Sequence, residues 1–167
     1  MRTGTDTLIE IRPLLLTDRE PLRRILEETG VFTGPEVGVA LELIDTVLED
    51  PHNPDYTIAT GEGDGGRIVG YYCIGRTPMT ESTWDLYWIA VDPATHHQGV
   101  GRQLLRHAEE FIAHRGGTLV VAETSSQPKY EPTRRFYLRN AYVEVSRIRD
   151  YYRAGDDLVV YGKYLSS

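Results

Sequence analysis

The stretch TWDLYWIAVDPATHHQGVGRQLLRHAEEFIAHRGGTLVVAE, Thr83 to Glu123, decides the architecture. Thr83–Val91 is rich in aromatic and β-branched residues and reads as a strand. From Gly99 to Arg115, Val100, Leu104, Leu105, Ala108, Phe111 and Ile112 fall on one helical face, with Arg106, Glu109, Glu110 and His114 opposite. Gly116 and Gly117 end that helix, and Thr118–Glu123 is a strand of the buried type. Two strands joined through a helix lie parallel, so the stretch forms a β-α-β unit.

The flanks are different in kind. Upstream, DYTIAT and RIVGYYCIG are strand-like runs joined by GEGDGG, whose glycines supply the positive φ angles of an antiparallel hairpin. Leu8–Leu14 reads as a strand, followed by two helices. The first is expected to open on a capping box of Thr17 and Glu20, the second on Thr33 and Glu36 around Pro35. Downstream, EPTRRFYLRN predicts a short helix, and AYVEVSRIRDYY and DLVVYGKYL predict two antiparallel strands around RAGDD. No repeat and no low-complexity linker interrupts the chain, so residues 1–167 are expected to form one domain. Its class is α/β or α+β, with a mixed sheet flanked by helices.

Composition narrows the function. A chain of 167 residues with 40% hydrophobic content can bury a core. A net charge of -7 fits a neutral or cationic small substrate and argues against nucleic acid, whose partners gather basic residues on one face. The single cysteine, Cys73, lies in an apolar run and reads as core, without a partner that would activate it. No window approaches the roughly 20 apolar residues of a membrane span, and no signal-type segment opens the sequence. The expectation is a soluble, cytoplasmic protein.

Gly99 and Gly101 stand where the strand gives way to the helix. The first amides of a helix have no carbonyl partner and carry the positive end of its dipole, so glycines there admit an anion. A Walker loop is absent, and the dinucleotide fingerprint would need a glycine where Leu104 stands. Taken alone, Gly-x-Gly also fits a turn that simply needs small residues. A metal site built from His96, His97, His107 and His114 is disfavoured, since adjacent histidines rarely share one ion; no metal is expected.

The run His96-His97-Gln98-Gly99-Val100-Gly101, between strand and helix, resembles the coenzyme A signature of the GNAT superfamily of acyl-CoA-dependent N-acyltransferases, Arg/Gln-x-x-Gly-x-Gly/Ala. His96 stands where the family carries Arg or Gln. Phe136-Tyr137 followed by Ala141-Tyr142 resembles a second family motif, with Ala141-Tyr142 in place of Gly-Phe. The resemblance implies a mostly antiparallel sheet with a central splayed parallel pair, and acetyl-CoA as acyl donor. It implies that the pantetheine arm pairs with Ile89 and Val91, that the amides of Gln98 to Arg102 hold the pyrophosphate, and that Ile89 or Ala90 donates to the oxyanion. Tyr130 holds the place of a family asparagine that contacts the cofactor, seven residues before Tyr137. Tyr137 is the implied general acid, and Asp85 and Glu123 compete as the base that deprotonates the amine.

The activity read from this is acetyl transfer to a primary amine of a small molecule, or of a peptide or protein. The rival from another class is a non-catalytic domain that binds acyl-CoA. Asp150, Asp156 and Asp157 would suit a cationic amine, and equally suit a solvated hairpin turn. The resemblance is also compatible with a homodimer.

Overall fold

The computed structural model describes Asp6–Ser166. The strands are β1 (Glu10–Pro13), β2 (Thr57–Glu62), β3 (Ile68–Arg76), β4 (Thr83–Val91), β5 (Leu119–Ser125), β6 (Val143–Arg153) and β7 (Asp156–Tyr164). The helices are α1 (Arg19–Glu28), α2 (Gly34–Glu49), α3 (Val100–His114) and α4 (Glu131–Arg139). Hydrogen-bonded strands run in the order β1-β2-β3-β4-β5-β7-β6, with β4 and β5 parallel and β1–β2, β2–β3, β5–β7 and β6–β7 antiparallel. The mixed α/β class read from the periodicities is the one observed. The chain divides into two compact units, one of residues up to Gly75 with Trp88–Glu110, the other of Arg76–Tyr87 with the residues from Phe111 onward.

In the first unit, Leu22, Ile25 and Leu26 of α1 and Val37, Ala40, Ile44 and Val47 of α2 form one buried cluster with Ile58, Tyr71, Cys73 and Ala90 of the sheet. The α1 and α2 positions recur at helical spacing, so each helix turns one apolar face to the sheet. Gly61 and Gly70 are register partners on β2 and β3. A β-carbon on Gly70 would stand 2.6 Å from the Ala90 carbonyl oxygen and 2.9 Å from Leu104 Cδ1, and one on Gly61 would stand 3.3 Å from Leu104 Cδ2. Leu104 of α3 is thus seated over a strand pair that lacks side chains at this point.

The start of α1 corrects the sequence reading. Thr33 and Glu36 do form the capping box of α2, with the Glu36 N–H donating to Thr33 Oγ1 at 3.3 Å and the Thr33 N–H to Glu36 Oε2 at 2.6 Å. Thr17 and Glu20 form none: Thr17 lies in a 3-10 turn, Asp18 precedes α1, and Glu20 accepts from Arg23. The Asp18 carboxylate, 1% exposed, accepts from both terminal nitrogens of Arg12 on β1, at 2.8 and 3.0 Å, and from the Leu15 N–H at 2.9 Å. Arg12 Nε donates to Glu62 on β2 at 2.7 Å. A charge partner on another strand outweighed a local cap.

In the second unit β5 pairs with β7 along its whole length, from Leu119↔Tyr164 to Ser125↔Leu158. The even-numbered side chains Trp84, Val120 and Ala122 are buried, Trp84 with Phe111 at 6.2 Å between ring centres.

Three outcomes are expected. Gly70→Ala should lower stability by about 1–3 kcal/mol, because the Ala90 carbonyl cannot yield. Gly38→Ala, inside α2 with nothing within 4 Å, should raise it by about 0.5–1 kcal/mol; denaturant titration of both variants checks the pair. Burial pushes the Asp18 carboxyl up, yet Arg12 and the Leu15 N–H outweigh it and hold it below its ordinary 3.8. In acid the unfolded chain therefore takes the proton first. The contribution of Asp18 should be intact above about pH 4 and fall away below it, and a thermal melt series should lose that component in Asp18→Asn.

Candidate functional site

The turn between β4 and α3 is built by Asp92, which is 2% exposed. Its carboxylate accepts from the Ala94 N–H at 3.0 Å and from Arg67 Nη2 at 2.6 Å, and its carbonyl accepts from the Thr95 N–H at 2.8 Å and Thr95 Oγ1 at 2.9 Å. Pro93–Thr95 wind into a single 3-10 turn on this anchor. His97 (φ 65°) and Gly99 (φ 77°) then take left-handed backbone, which glycine adopts without strain. The rings of His96 and His97 are exposed and 6.3 Å apart. Among the described residues no group of three or more His, Cys, Asp and Glu stands together so that it could hold a metal ion.

The first hydrogen bond of α3 runs from the Gln103 N–H to the Gly99 carbonyl at 3.1 Å. The amides of Val100, Gly101 and Arg102 therefore precede the helical ladder, at the positive end of a 15-residue helix. Gln98 differs from expectation, because its amide donates to the Thr95 carbonyl at 3.3 Å. The amides open to an anion thus begin after it. On β4, Ala90 is buried in the core cluster, while Ile89 and Val91 are partly exposed.

The remaining candidates lie in the second unit. β4 and β5 pair through Thr83↔Leu119, Trp84↔Val120 and Asp85↔Val121. Partners in register share a face, and side chains alternate along a strand. Asp85, Val121 and Glu123 consequently share the less buried face. The Asp85 carboxylate accepts from Thr77 Oγ1 at 2.8 Å, and Glu123 is exposed.

Tyr137 is on the other face. It is 5% exposed and stacks on Tyr161 at 5.6 Å between ring centres, with Tyr142 at 5.5 Å and Phe136 at 5.7 Å. Tyr161 is paired with Ala122, whose side chain points with Val120 and Trp84. Burial pushes the Tyr137 phenol well above its ordinary 10, so it keeps its proton at neutral pH. The two carboxylates share a face, and the tyrosine lies on the other. Tyr130 is partly exposed beside Lys129, whose Nζ stands 5.1 Å over its ring.

The hairpin aspartates hold the hairpin. Asp156 accepts from Ser125 Oγ and, at 2.8 Å, from Gln127 Nε2. Asp157 accepts from the Asp150 N–H at 3.0 Å and from Arg147 at 3.1 Å, contacts that hold its carboxyl below the ordinary range. Asp150 accepts from the Gly155 N–H at 2.8 Å.

Sequence reasoning passed over Asp92, Thr77 and a tie from the N-terminal segment. Asp92-Pro93 is a turn signature that could have been read. Thr77 could not, since nothing local announces its bond to Asp85. The tie is longer-range still: the Thr7 N–H donates to the Gln98 carbonyl at 3.1 Å, and Gln103 Nε2 to the Thr7 carbonyl at 2.7 Å.

Comparison with known proteins supplies a frame for this geometry. The model of the acetyltransferase (GNAT) family matches residues 20–142. The chain is 41% identical to a GNAT-family protein from Desulfovibrio desulfuricans, covering 95% of this chain and 100% of that one, and the structures agree at a TM-score of 0.90. It is 40% identical over 77 residues to the N-alpha-acetyltransferase RimI of Mycobacterium tuberculosis, a match that spans 44% of this chain and 44% of that protein. The PaiA N-acetyltransferase of Thermoplasma acidophilum, solved in complex with coenzyme A, shares the fold at a TM-score of 0.73 and 19% identity, over 95% of this chain and 100% of that one.

The anchoring role of Asp92 leads to a measurable asymmetry. Asp92→Ala should cost about 1–2 kcal/mol through the lost cap. Arg67→Ala leaves the Asp92 carboxylate, 3% exposed, without its cation and should cost more, about 3 kcal/mol. Chemical denaturation of the two variants checks this.

Proposed function

Because the chain belongs to the acetyltransferase (GNAT) family, we propose that it transfers the acetyl group of acetyl-CoA to the primary amine of a small molecule, by direct attack in a ternary complex. The observation that carries the reading is the turn after β4. Gly99 is left-handed there, and the amides of Val100, Gly101 and Arg102 precede the helical ladder. Such a turn fits a pyrophosphate, with Arg102 supplying a cationic side chain beside it. Ile89 and Val91 are partly exposed on β4, which supports the reading that they offer main-chain groups to an amide-bearing arm.

Bound there, acetyl-CoA supplies a thioester open to attack by a neutral amine. Asp85 or Glu123 takes the proton from the ammonium form, Asp85 through a water because its side chain is short. The backbone N–H of Ile89 or Ala90 donates to the carbonyl oxygen as it gains charge. Tyr137 gives its proton to the departing sulfur. The exposed His96 is proposed to contact the pyrophosphate, with His97 and Tyr130 beside the cofactor.

The test is thiol release from acetyl-CoA against a panel of small amines and peptide α-amines. The name of the mycobacterial relative makes the second group the natural comparison. Turnover with an amine is expected, and Tyr137→Phe should reduce it about 10²-fold while coenzyme A affinity stays the same. Unchanged turnover in that variant removes Tyr137 from the mechanism. Binding of acetyl-CoA with no thiol release on any amine favours a non-catalytic acyl-CoA module.

A further inference from the structure

The glycine turn already carries an anion from its own chain. Asp6 forms an ion pair with Arg102 Nη2. A β-carbon built on Gly99 would stand 2.6 Å from Asp6 Cγ and Oδ1 and 2.9 Å from Oδ2. The carboxylate is therefore laid directly against the residue whose missing side chain opens the turn.

The segment is also fixed there. The Thr7 N–H donates to the Gln98 carbonyl at 3.1 Å, and Thr7 Oγ1 to Gln98 Oε1 at 3.1 Å. Gln103 Nε2 donates to the Thr7 carbonyl at 2.7 Å, while Gln103 Oε1 accepts from the Ile9 N–H at 3.3 Å. Side chains from both ends of the turn thus hold Asp6 in place, at the positive end of α3 and on the cation that flanks it.

We propose that Asp6 is an intramolecular competitor for the anion cradle at the amino end of α3, its carboxylate occupying Gly99 and Arg102 until an anionic ligand displaces it. The inference rests on the reading of this turn as the cofactor cradle. A carboxylate and a phosphate call on the same resources here, a guanidinium and the helix end. Tethering keeps the carboxylate at high local concentration. Cofactor then binds only to the fraction of molecules in which the segment has yielded, and its apparent affinity falls by that fraction. The pair is partly open to water, Arg102 at 55% and Asp6 at 35%, so the effect is moderate.

Isothermal titration of coenzyme A into the full chain and into Asp6→Asn, at low salt and with circular dichroism showing both folded, tests it. Asp6→Asn keeps the shape and removes the charge, and it should bind about two- to fivefold more tightly. Equal affinity, or weaker binding by the variant, overturns the competition while leaving the cradle reading intact. Absence of binding to both forms overturns the cradle reading, and the competition with it.

Discussion

The first unit depends on one close approach. The Ala90 carbonyl and the Leu104 side chain both occupy space that a β-carbon on Gly70 would take. Backbone oxygen cannot be repacked, so the strand pair and the helix fix one another's separation here. That separation sets where α3 begins, and hence where the amides of Val100 to Arg102 stand relative to the end of β4. Interiors are close-packed and transmit such constraints over many residues. A position with no side chain thus governs the geometry of the turn from a distance.

Charge pairing performs a second fixing task. Arg12 joins β1 to β2 through Glu62 and to the start of α1 through Asp18, and Asp92 joins the turn to the start of β3 through Arg67. In both cases the carboxylate is nearly sealed from water while its cation is in part exposed. A sealed carboxylate without its partners would be costly, so these contacts select one arrangement of the loops over others. The aspartates of the β6–β7 hairpin act similarly. Acidic residues that looked like a lure for a cationic amine are engaged with Ser125, Gln127, Arg147 and backbone amides.

Much of this was legible because the features are local. The apolar spacing of α3, the glycines on either side of it, the parallel strands it joins and the Thr33 box all lie within short spans whose physics is that of one element. What escaped is long-range. Thr17 and Glu20 satisfy the capping pattern, but Arg12 reaches Asp18 from a strand and takes the start of the helix. The amide of Gln98 is turned inward by a 3-10 turn that Asp92 dictates. Asp85 and Glu123 each looked plausible as a base, and only the register set them on one face with Tyr137 on the other. The contact of Asp6 with Arg102 crosses most of the chain, and no spacing rule announces it.

Cys73 is sealed in the core of the first unit, and that gives it a use. It is 0% exposed, and burial pushes its thiol up to about 12, so in the folded protein there is neither access nor thiolate for a sulfhydryl reagent. It is also the one cysteine of the sequence. The folded chain is consequently silent to a reagent that counts thiols, and any label that does accumulate on it times the opening of the core around β3. One reagent can thus follow a cofactor's sulfur on the scale of turnover and the protein's own sulfur on the scale of unfolding.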